Sequence, residues 1–287
     1  MSTADSADHA DSAAPAGTPA LSLRGAALSY GTHEVWSDLD LDVHPGELVA
    51  VLGPNGSGKT SLVRAVLGQQ PLTRGRLEVR GRRPRAGSPE IGYVPQQRLI
   101  DPMTPLRARD LVRQGLDGHR WGVPLPSRRM RTRVDELLAA VGASAYGDVP
   151  VGLLSGGEQQ RVRIAQAVAT DPALLLCDEP LLSLDLAHQR EVVGVIDARR
   201  RAGTAVLFVT HEINPVLDVV DKVLYLAPAG HRVGTPEEVL TTESLSQLYG
   251  TRVEVLHHGG RVLIAATGAH LDHDCHPAGL LEAEGAA

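Results

Sequence analysis

The stretch Gly53-Pro54-Asn55-Gly56-Ser57-Gly58-Lys59-Thr60 decides the fold. It fits the pattern G-x-x-x-x-G-K-[ST], follows the apolar run Leu48–Leu52 and leads into the helical run Ser61–Leu67. Glycines let such a loop wrap closely, so backbone N–H groups can converge on phosphate oxygens, and the next helix points its positive end at the same anion. The stretch therefore predicts a phosphate-binding loop in an α/β fold.

A pair of carboxylates later in the chain supplies the second half of the predicted site. The apolar run Leu174–Cys177 predicts a buried strand that ends at Asp178-Glu179-Pro180. Parallel sheets bind ligands at the carboxyl ends of their strands. We expect Asp178 to hold Mg²⁺ through water and Glu179 to orient the water that attacks a γ-phosphate. An acidic pair before proline is by itself more often a turn, and the phosphate loop reverses that preference.

The run Leu154-Ser155-Gly156-Gly157-Glu158-Gln159-Gln160-Arg161 resembles the signature sequence of ABC ATPases. Ser155 and Glu158 also have the spacing of a capping box, which predicts a helix over Gly157–Ala169. The three motifs together make the chain similar to ABC ATPases over Leu21–Leu248. The resemblance implies a P-loop NTPase core with an antiparallel β subdomain and a helical subdomain. It also implies that Ser155 and Gly157 complete the ATP site of an opposing subunit.

Four further positions follow in the order of that family. The resemblance implies that Tyr30 stacks on adenine, that Gln96 touches Mg²⁺ and the attacking water, that Asp185 lies at the dimer seam, and that His211 contacts the γ-phosphate. Taken singly, these residues would be a core or edge-strand tyrosine, a surface glutamine, a helix cap and a structural histidine.

The predicted site therefore contains residues of three kinds. The residues expected to act in hydrolysis are Lys59, Gln96, Glu179 and His211. The residues expected to bind ATP are Tyr30, Gly53, Pro54, Asn55, Gly56, Ser57, Gly58, Lys59, Thr60, Ser61, Ser155, Gly157 and Asp185. The residues expected to hold Mg²⁺ are Thr60, Gln96 and Asp178.

Composition excludes several classes of protein. The chain has 287 residues, 43% of them hydrophobic, which is enough for one large core. The net charge of -6 argues against nucleic-acid binding, and two cysteines are too few for a disulfide framework. Residues 1–20 lack the features of a secretory signal and are expected to form a disordered tail. No apolar run is long enough for a membrane helix, so any membrane role needs a partner.

The distribution of strand-like and helical segments predicts two further regions after the tail of residues 1–20, which makes three in all. Residues 21–250 are expected to form the ATPase domain, with a helical subdomain at about 101–165. Residues 251–287 are expected to form a hairpin, turning at His257-His258-Gly259-Gly260, and a histidine-bearing tail. The expected strands of the core are Leu21–Leu28, Leu39–Val43, Glu47–Leu52, Arg76–Val79, Ile91–Val94, Leu174–Cys177, Ala205–Val209 and Val223–Leu226.

The family resemblance also implies partners. These are a second ATPase subunit, an integral membrane permease that docks near Gln97–Arg107, and an extracytoplasmic substrate-binding protein, with this chain on the cytoplasmic side of the membrane. The sequence of Ile91–Gln97, with Asp101 and Pro105-Leu106 nearby, resembles that of the ATPase subunits of zinc and manganese importers. Another transport substrate, or a non-transport role in DNA repair or translation, stays open, as does a small-molecule P-loop kinase.

The C-terminal histidines suggest a hypothesis of metal regulation. Imidazole and thiolate suit zinc, but a flexible segment must lose conformational freedom before it can chelate. A solvated tail is therefore the favoured interpretation. The side chains concerned are His257, His258, His270, His273 and His276, with Asp272, Asp274 and Cys275.

Overall fold

The computed structural model describes residues 17–96, 100–118 and 127–266. The strands are β1 Leu21–Tyr30, β2 His33–Val43, β3 Leu48–Leu52, β4 Arg74–Val79, β5 Ile91–Val94, β6 Leu174–Asp178, β7 Ala205–Val209, β8 Lys222–Ala227, β9 Gly230–Gly234, β10 Val253–His258 and β11 Arg261–Ala266. The α-helices are α1 Lys59–Val66, α2 Ala108–Asp117, α3 Arg128–Ala140, α4 Gly156–Ala167, α5 Leu186–Arg201, α6 Pro236–Val239 and α7 Thr242–Tyr249. The predicted core strands are all present, and most extend by one or more residues.

A six-stranded sheet in the order β5-β6-β7-β3-β8-β9 forms the centre. The strands from β5 to β8 run parallel, and β9, which the sequence reasoning missed, pairs antiparallel with β8. Every residue of β3 and β7 is buried, as expected for parallel strands covered on both faces. The carboxyl ends of β3, β5, β6 and β7 share one edge, which brings together four loops far apart in sequence.

Two hydrophobic cores lie on opposite faces of this sheet. Alternate residues of β3 divide between them, because successive side chains of a strand point to opposite faces: Leu48, Ala50 and Leu52 join one core, and Val49 and Val51 the other. The second core also contains α1 and the antiparallel sheet β2-β1-β4. The predicted antiparallel β subdomain is thus confirmed.

Helices α2, α3 and α4 occupy the region predicted to be helical, and α2 packs closely on α4. The predicted capping box is confirmed, since Ser155 accepts from the Glu158 N–H and Glu158 accepts from the Ser155 N–H. Helix α4 begins at Gly156 and ends at Ala167, slightly earlier than the predicted Gly157–Ala169. The subdomain limits of 101–165 and the three-region division stay predictions.

The C-terminal hairpin is β10-β11, and its turn is shorter than predicted. His257 and His258 belong to β10, where they pair with Val262 and Arg261. Only Gly259 and Gly260 turn, with φ of 57° and 74°, because a two-residue hairpin turn of this kind needs positive φ at both positions. The predicted tail histidines beyond Ala266, most of the predicted N-terminal tail, and Gln97 lie outside the described residues.

Candidate active site

The phosphate loop joins β3 to α1 and is held open by close backbone approaches. Gly53 has φ 145°, and a Cβ there would lie 2.1 Å from the Leu226 carbonyl oxygen. A Cβ on Gly58 would lie 2.4 Å from Val35 Cγ1, so no side chain fits at either glycine. The Lys59 ammonium donates to the carbonyl oxygens of Gly53 (2.6 Å) and Pro54 (2.9 Å). The loop therefore encircles a lysine that is only 7% exposed.

Three polar side chains converge beyond this loop. Gln96, after β5, donates from Nε2 to Glu179 Oε2 at 2.9 Å. His211 Nδ1, after β7, lies 3.8 Å from Glu179 Oε1. All three line one cavity of about 620 Å³ together with Gly53, Pro54 and Asn55. The sheet edge thus brings Glu179 within reach of both side chains that the family resemblance pairs with it.

Glu179 occupies a strained backbone conformation, with φ 47°. Non-glycine residues adopt this left-handed region at a cost of order 1–3 kcal/mol, and such residues cluster at active sites. The Glu179 N–H donates to the Val209 carbonyl at 2.8 Å, which fixes the residue against β7. Neighbouring structure thus holds this carboxylate at the cavity.

The electrostatics of the site are dominated by two adjacent carboxyl groups. Burial, and then the negative charge of Glu179, raise the pKa of Asp178 above its ordinary value. Burial lowers the pKa of Lys59, against the opposing effect of the two carboxylates. Tyr93 donates from its hydroxyl to Asp178 Oδ2 at 3.4 Å, and burial with the nearby Asp178 charge raises the pKa of Tyr93 to about 12. Tyr93 therefore stays protonated near neutral pH and remains a donor.

These residues fit a magnesium–nucleotide complex. The half-buried carboxyl pair Asp178-Glu179 shares the single positive charge of Lys59, and a divalent metal would add the further positive charge that two carboxylates and the phosphates of a nucleotide need. Ser57 Oγ is buried in the loop without a hydrogen-bond partner in the described structure. A buried polar atom that lacks a partner costs about 1–3 kcal/mol of stability. Thr60 lies in the first turn of α1, with an exposed side chain. Mg²⁺, when bound, would neutralise phosphate charge, with Thr60 and Asp178 as the residues placed to hold it.

Tyr30 lies at the end of β1, beside the first turn of α1. The residue is 45% exposed, and its hydroxyl lies 3.3 Å from Ser61 Oγ. An exposed aromatic ring beside a phosphate loop offers a stacking surface for a base. The structure thus does not bury Tyr30 as an ordinary core residue.

The signature residues lie at the start of α4. Ser155 is the exposed N-cap of that helix, and Gly157 belongs to its first turn. Asp185 caps α5, and Gly157 packs on His188 of that helix. The starts of α4 and α5 therefore lie side by side.

Comparison with known proteins shows the family of the chain. The profile of the family described as ABC transporter matches residues 36–182. The chain belongs to the ABC transporter family. This ABC ATPase is an ATP-binding subunit of a transporter and hydrolyses ATP with Mg²⁺ as its cofactor.

Relatives and solved structures extend the match over most of the chain. A zinc import ATP-binding protein, ZnuC, of Pseudomonas fluorescens is 35% identical over 242 residues, which cover 82% of this chain and 85% of that protein. A phosphonates import ATP-binding protein, PhnC, of Anaeromyxobacter dehalogenans is 39% identical over 250 residues, which cover 83% of this chain and 50% of that protein. An inward-facing structure of an ABC transporter described as metal-chelate type superposes with a TM-score of 0.72 at 26% identity, covering 88% of this chain and 98% of that chain.

Residues that the sequence reasoning missed also lie at this site in the ABC ATPase. Tyr93 contacts Asp178, and Ile213, Tyr225, Tyr249 and Ile264 form an apolar wall of the catalytic cavity. The position of Tyr93 on the strand beside β6 could have indicated its role. No sequence pattern indicated the apolar wall, because its residues are far apart in the chain and only the fold brings them together. In the part of the chain that the structure describes, no helix is both long and apolar enough to span a bilayer.

Proposed function

We propose that this ABC ATPase hydrolyses ATP at sites shared between two copies of the chain, and that it energises import of a divalent metal ion, zinc or manganese. The shared site is supported by one observation: Gln96 and His211 reach Glu179 within one chain, whereas Ser155 is exposed at the start of α4, where its side chain bonds Glu158 of the same helix. In this proposal Lys59 and the loop hold the phosphates, Glu179 polarises the attacking water, and Gln96 and His211 position that water and the γ-phosphate.

In this proposal each chain supplies the N-terminal end of its α4 to the ATP site of its partner. Ser155 and Gly157 lie at the N-terminal end of α4, where backbone N–H groups and the helix dipole favour an anion. Presented by a second copy, this end would complete the charge stabilisation around the γ-phosphate. Closure of the two chains would then depend on ATP, and loss of the γ-phosphate would release them.

Mixing two inactive variants tests the shared site. A Lys59→Ala chain and a Ser155→Arg chain are each expected to be inactive alone. In a mixed dimer, one site carries both defects and the other carries neither, so mixing is expected to restore hydrolysis. Sites contained within a single chain would give no recovery, because every chain then carries one defect. Glu179→Gln provides a second test, since the variant should bind ATP without turnover and accumulate as a dimer. A small-molecule kinase has no reason to dimerise.

A membrane permease would dock beside the signature segment. Met103 is 86% exposed and Leu153 is 65% exposed, and they project from two segments that pack closely. A Cβ on Gly152 would lie 2.3 Å from the Asp101 carbonyl oxygen. Gln159, 2% exposed, accepts from the Ile100 N–H and donates to the Leu154 carbonyl, so movement of the docking segment would reach Ser155. Met103→Asp is expected to abolish co-purification with the permease while leaving ATP binding intact.

Two observations support zinc or manganese as the imported substrate: the similarity to a zinc import protein, and the sequence of Ile91–Gln97. An importer of this kind works with a permease and an extracytoplasmic binding protein, on the cytoplasmic face of the membrane. The test is uptake of radioactive zinc and manganese by cells that carry the Glu179→Gln chain in place of the natural one. Reduced uptake of either metal supports the proposal, and unchanged metal uptake with reduced phosphonate uptake would favour the function named for the 39% identical relative. Increased metal accumulation would indicate export.

The metal-regulation hypothesis concerns mainly residues outside the described ones. No three His, Cys, Asp or Glu side chains between residues 17 and 266, as far as these are described, form a group that could hold a metal ion. His257 Nε2 instead contacts the Leu240 carbonyl oxygen at 3.1 Å. Metal titration of the full chain against a chain that ends at Ala266 tests the hypothesis, and equal affinity would remove it.

A further inference from the structure

The histidine at position 188 contacts two elements that the proposed function presents to a second chain. Asp185 caps α5: its Oδ1 accepts from the N–H groups of Ala187 (3.0 Å) and His188 (2.9 Å). Its Oδ2 lies 2.7 Å from His188 Nδ1. Both oxygens of the Asp185 carboxylate are therefore engaged by the first turn of the same helix, and the imidazole takes one of them.

The other side of the same imidazole ring faces the signature. A Cβ on Gly157 would lie 2.4 Å from His188 Cδ2 and 2.8 Å from Cγ, closer than real Cβ atoms approach other atoms. Gly157 is not among the residues with positive φ, since it belongs to the first turn of α4. Its lack of a side chain is therefore required here by the ring of His188 and not by backbone conformation.

A second contact joins the same two helices one turn further along. Arg161 of α4 and Glu191 of α5 form an ion pair at 3.1 Å, with Arg161 largely buried. The starts of α4 and α5 are thus fixed to each other by His188 and by this pair. A motion of one helix start is expected to carry the other, because the ring has no free space on the Gly157 side.

We infer that His188 is a positioning residue, which holds Asp185 and the signature start in one fixed relation so that both reach the partner's ATP together. The inference rests on the proposed shared site. Loss of His188 would leave each element intact, and the Arg161–Glu191 pair alone would hold the two helix starts less firmly relative to each other. Misplacement of about 1 Å at a site of this kind can lower a rate about a hundredfold, so we expect His188→Ala to lower the hydrolysis rate by about tenfold to a hundredfold. Binding of ATP by the monomer, through Lys59 and the loop, should stay within about twofold of its original value.

Two variants that each keep one contact of His188, with Asp185 or with Gly157, show whether the role needs both contacts. His188→Asn keeps a polar partner for Asp185 but does not reach Gly157, and His188→Leu fills space beside Gly157 but cannot pair with Asp185. We expect both variants to fall between His188→Ala and the natural chain in hydrolysis rate. Recovery of the full rate by either one would overturn the joint role. His44→Ala, which changes an exposed histidine in the loop between β2 and β3, is the matched control and should leave the hydrolysis rate unchanged.

Two further measurements complete the test. Gly157→Ala should lower the thermal stability of the His188 chain much more than that of the His188→Ala chain, because in the second chain the ring is gone and only the Cβ of residue 188, at 3.0 Å, stays close to the added methyl; equal effects in both would refute the contact. ATP-dependent dimerisation of the Glu179→Gln chain, measured by light scattering, should weaken when His188→Ala is added. If the Glu179→Gln chain does not dimerise at all, the shared site fails and this inference with it. If it dimerises equally with and without His188, only the positioning role fails.

Discussion

Asn214→Ala should release the C-terminal hairpin from the catalytic core. Asn214 lies three residues after His211, and its side chain bonds both backbone groups of Val262: Nδ2 donates to the carbonyl at 3.0 Å, and Oδ1 accepts from the N–H at 2.8 Å. The side chain thus replaces a neighbouring strand for that residue. Alanine removes both bonds at once.

The magnitude follows from the two hydrogen bonds. Each contributes about 1 kcal/mol net, so the hairpin should lose about 2 kcal/mol of docking free energy. The apolar contacts of buried Val253 and Val262 remain, so the hairpin should open locally without unfolding the core sheet. A change of about 2 kcal/mol corresponds to a roughly thirtyfold rise in the population of the opened state.

Hydrogen exchange followed by mass spectrometry measures this opening directly. Peptides that contain β10 and β11 should exchange about thirtyfold faster, whereas peptides from β3 should not change. Thr242→Val is the graded comparison, because Thr242 Oγ1 accepts only one hydrogen bond from this hairpin, from the Val255 N–H. Its effect should be about 1 kcal/mol. Unchanged hairpin exchange in Asn214→Ala, or a larger effect from Thr242→Val, would refute the reasoning.

Three further changes test other parts of the structure. Gly53→Ala should abolish ATP binding and lower the free energy of unfolding by at least about 1–3 kcal/mol, because residue 53 has φ 145° and its Cβ would meet the Leu226 carbonyl. A near-normal ATP titration would contradict this. Tyr30→Ala should weaken ATP affinity about tenfold, because loss of base stacking costs about 1–3 kcal/mol, and Tyr30→Trp should retain the affinity. Equal affinity of the alanine variant and the natural chain would exclude stacking. Burial lowers the pKa of His231 below its ordinary 6.5, so the unfolded chain binds the proton more readily and stability falls as pH drops through that value. His231→Gln should flatten this decline in denaturant melts between pH 7 and pH 5, and an unchanged slope would show that His231 is not its source.

Local motifs explain why much of the site could be predicted. The phosphate loop, the carboxylate pair and the capping box are each contained within a few consecutive residues, so short-range chemistry and spacing specify them. Strand β9 and the limits of the hairpin turn were missed or misplaced for the opposite reason. Gly230–Gly234 has little apolar patterning, and its pairing with β8 depends on a long-range register.

The sequence by itself determined the α/β class, the phosphate loop and the residues that accompany it, because these depend on backbone geometry over one turn or one strand end. Only the tertiary structure decided which of them meet. The parallel sheet brings Gln96, Glu179 and His211 to one edge and places Tyr93 on Asp178, and the packing of α4 on α5 sets Gly157 against His188. Such contacts join residues distant in the chain, and their distances are set by the packing of whole elements rather than by any local pattern.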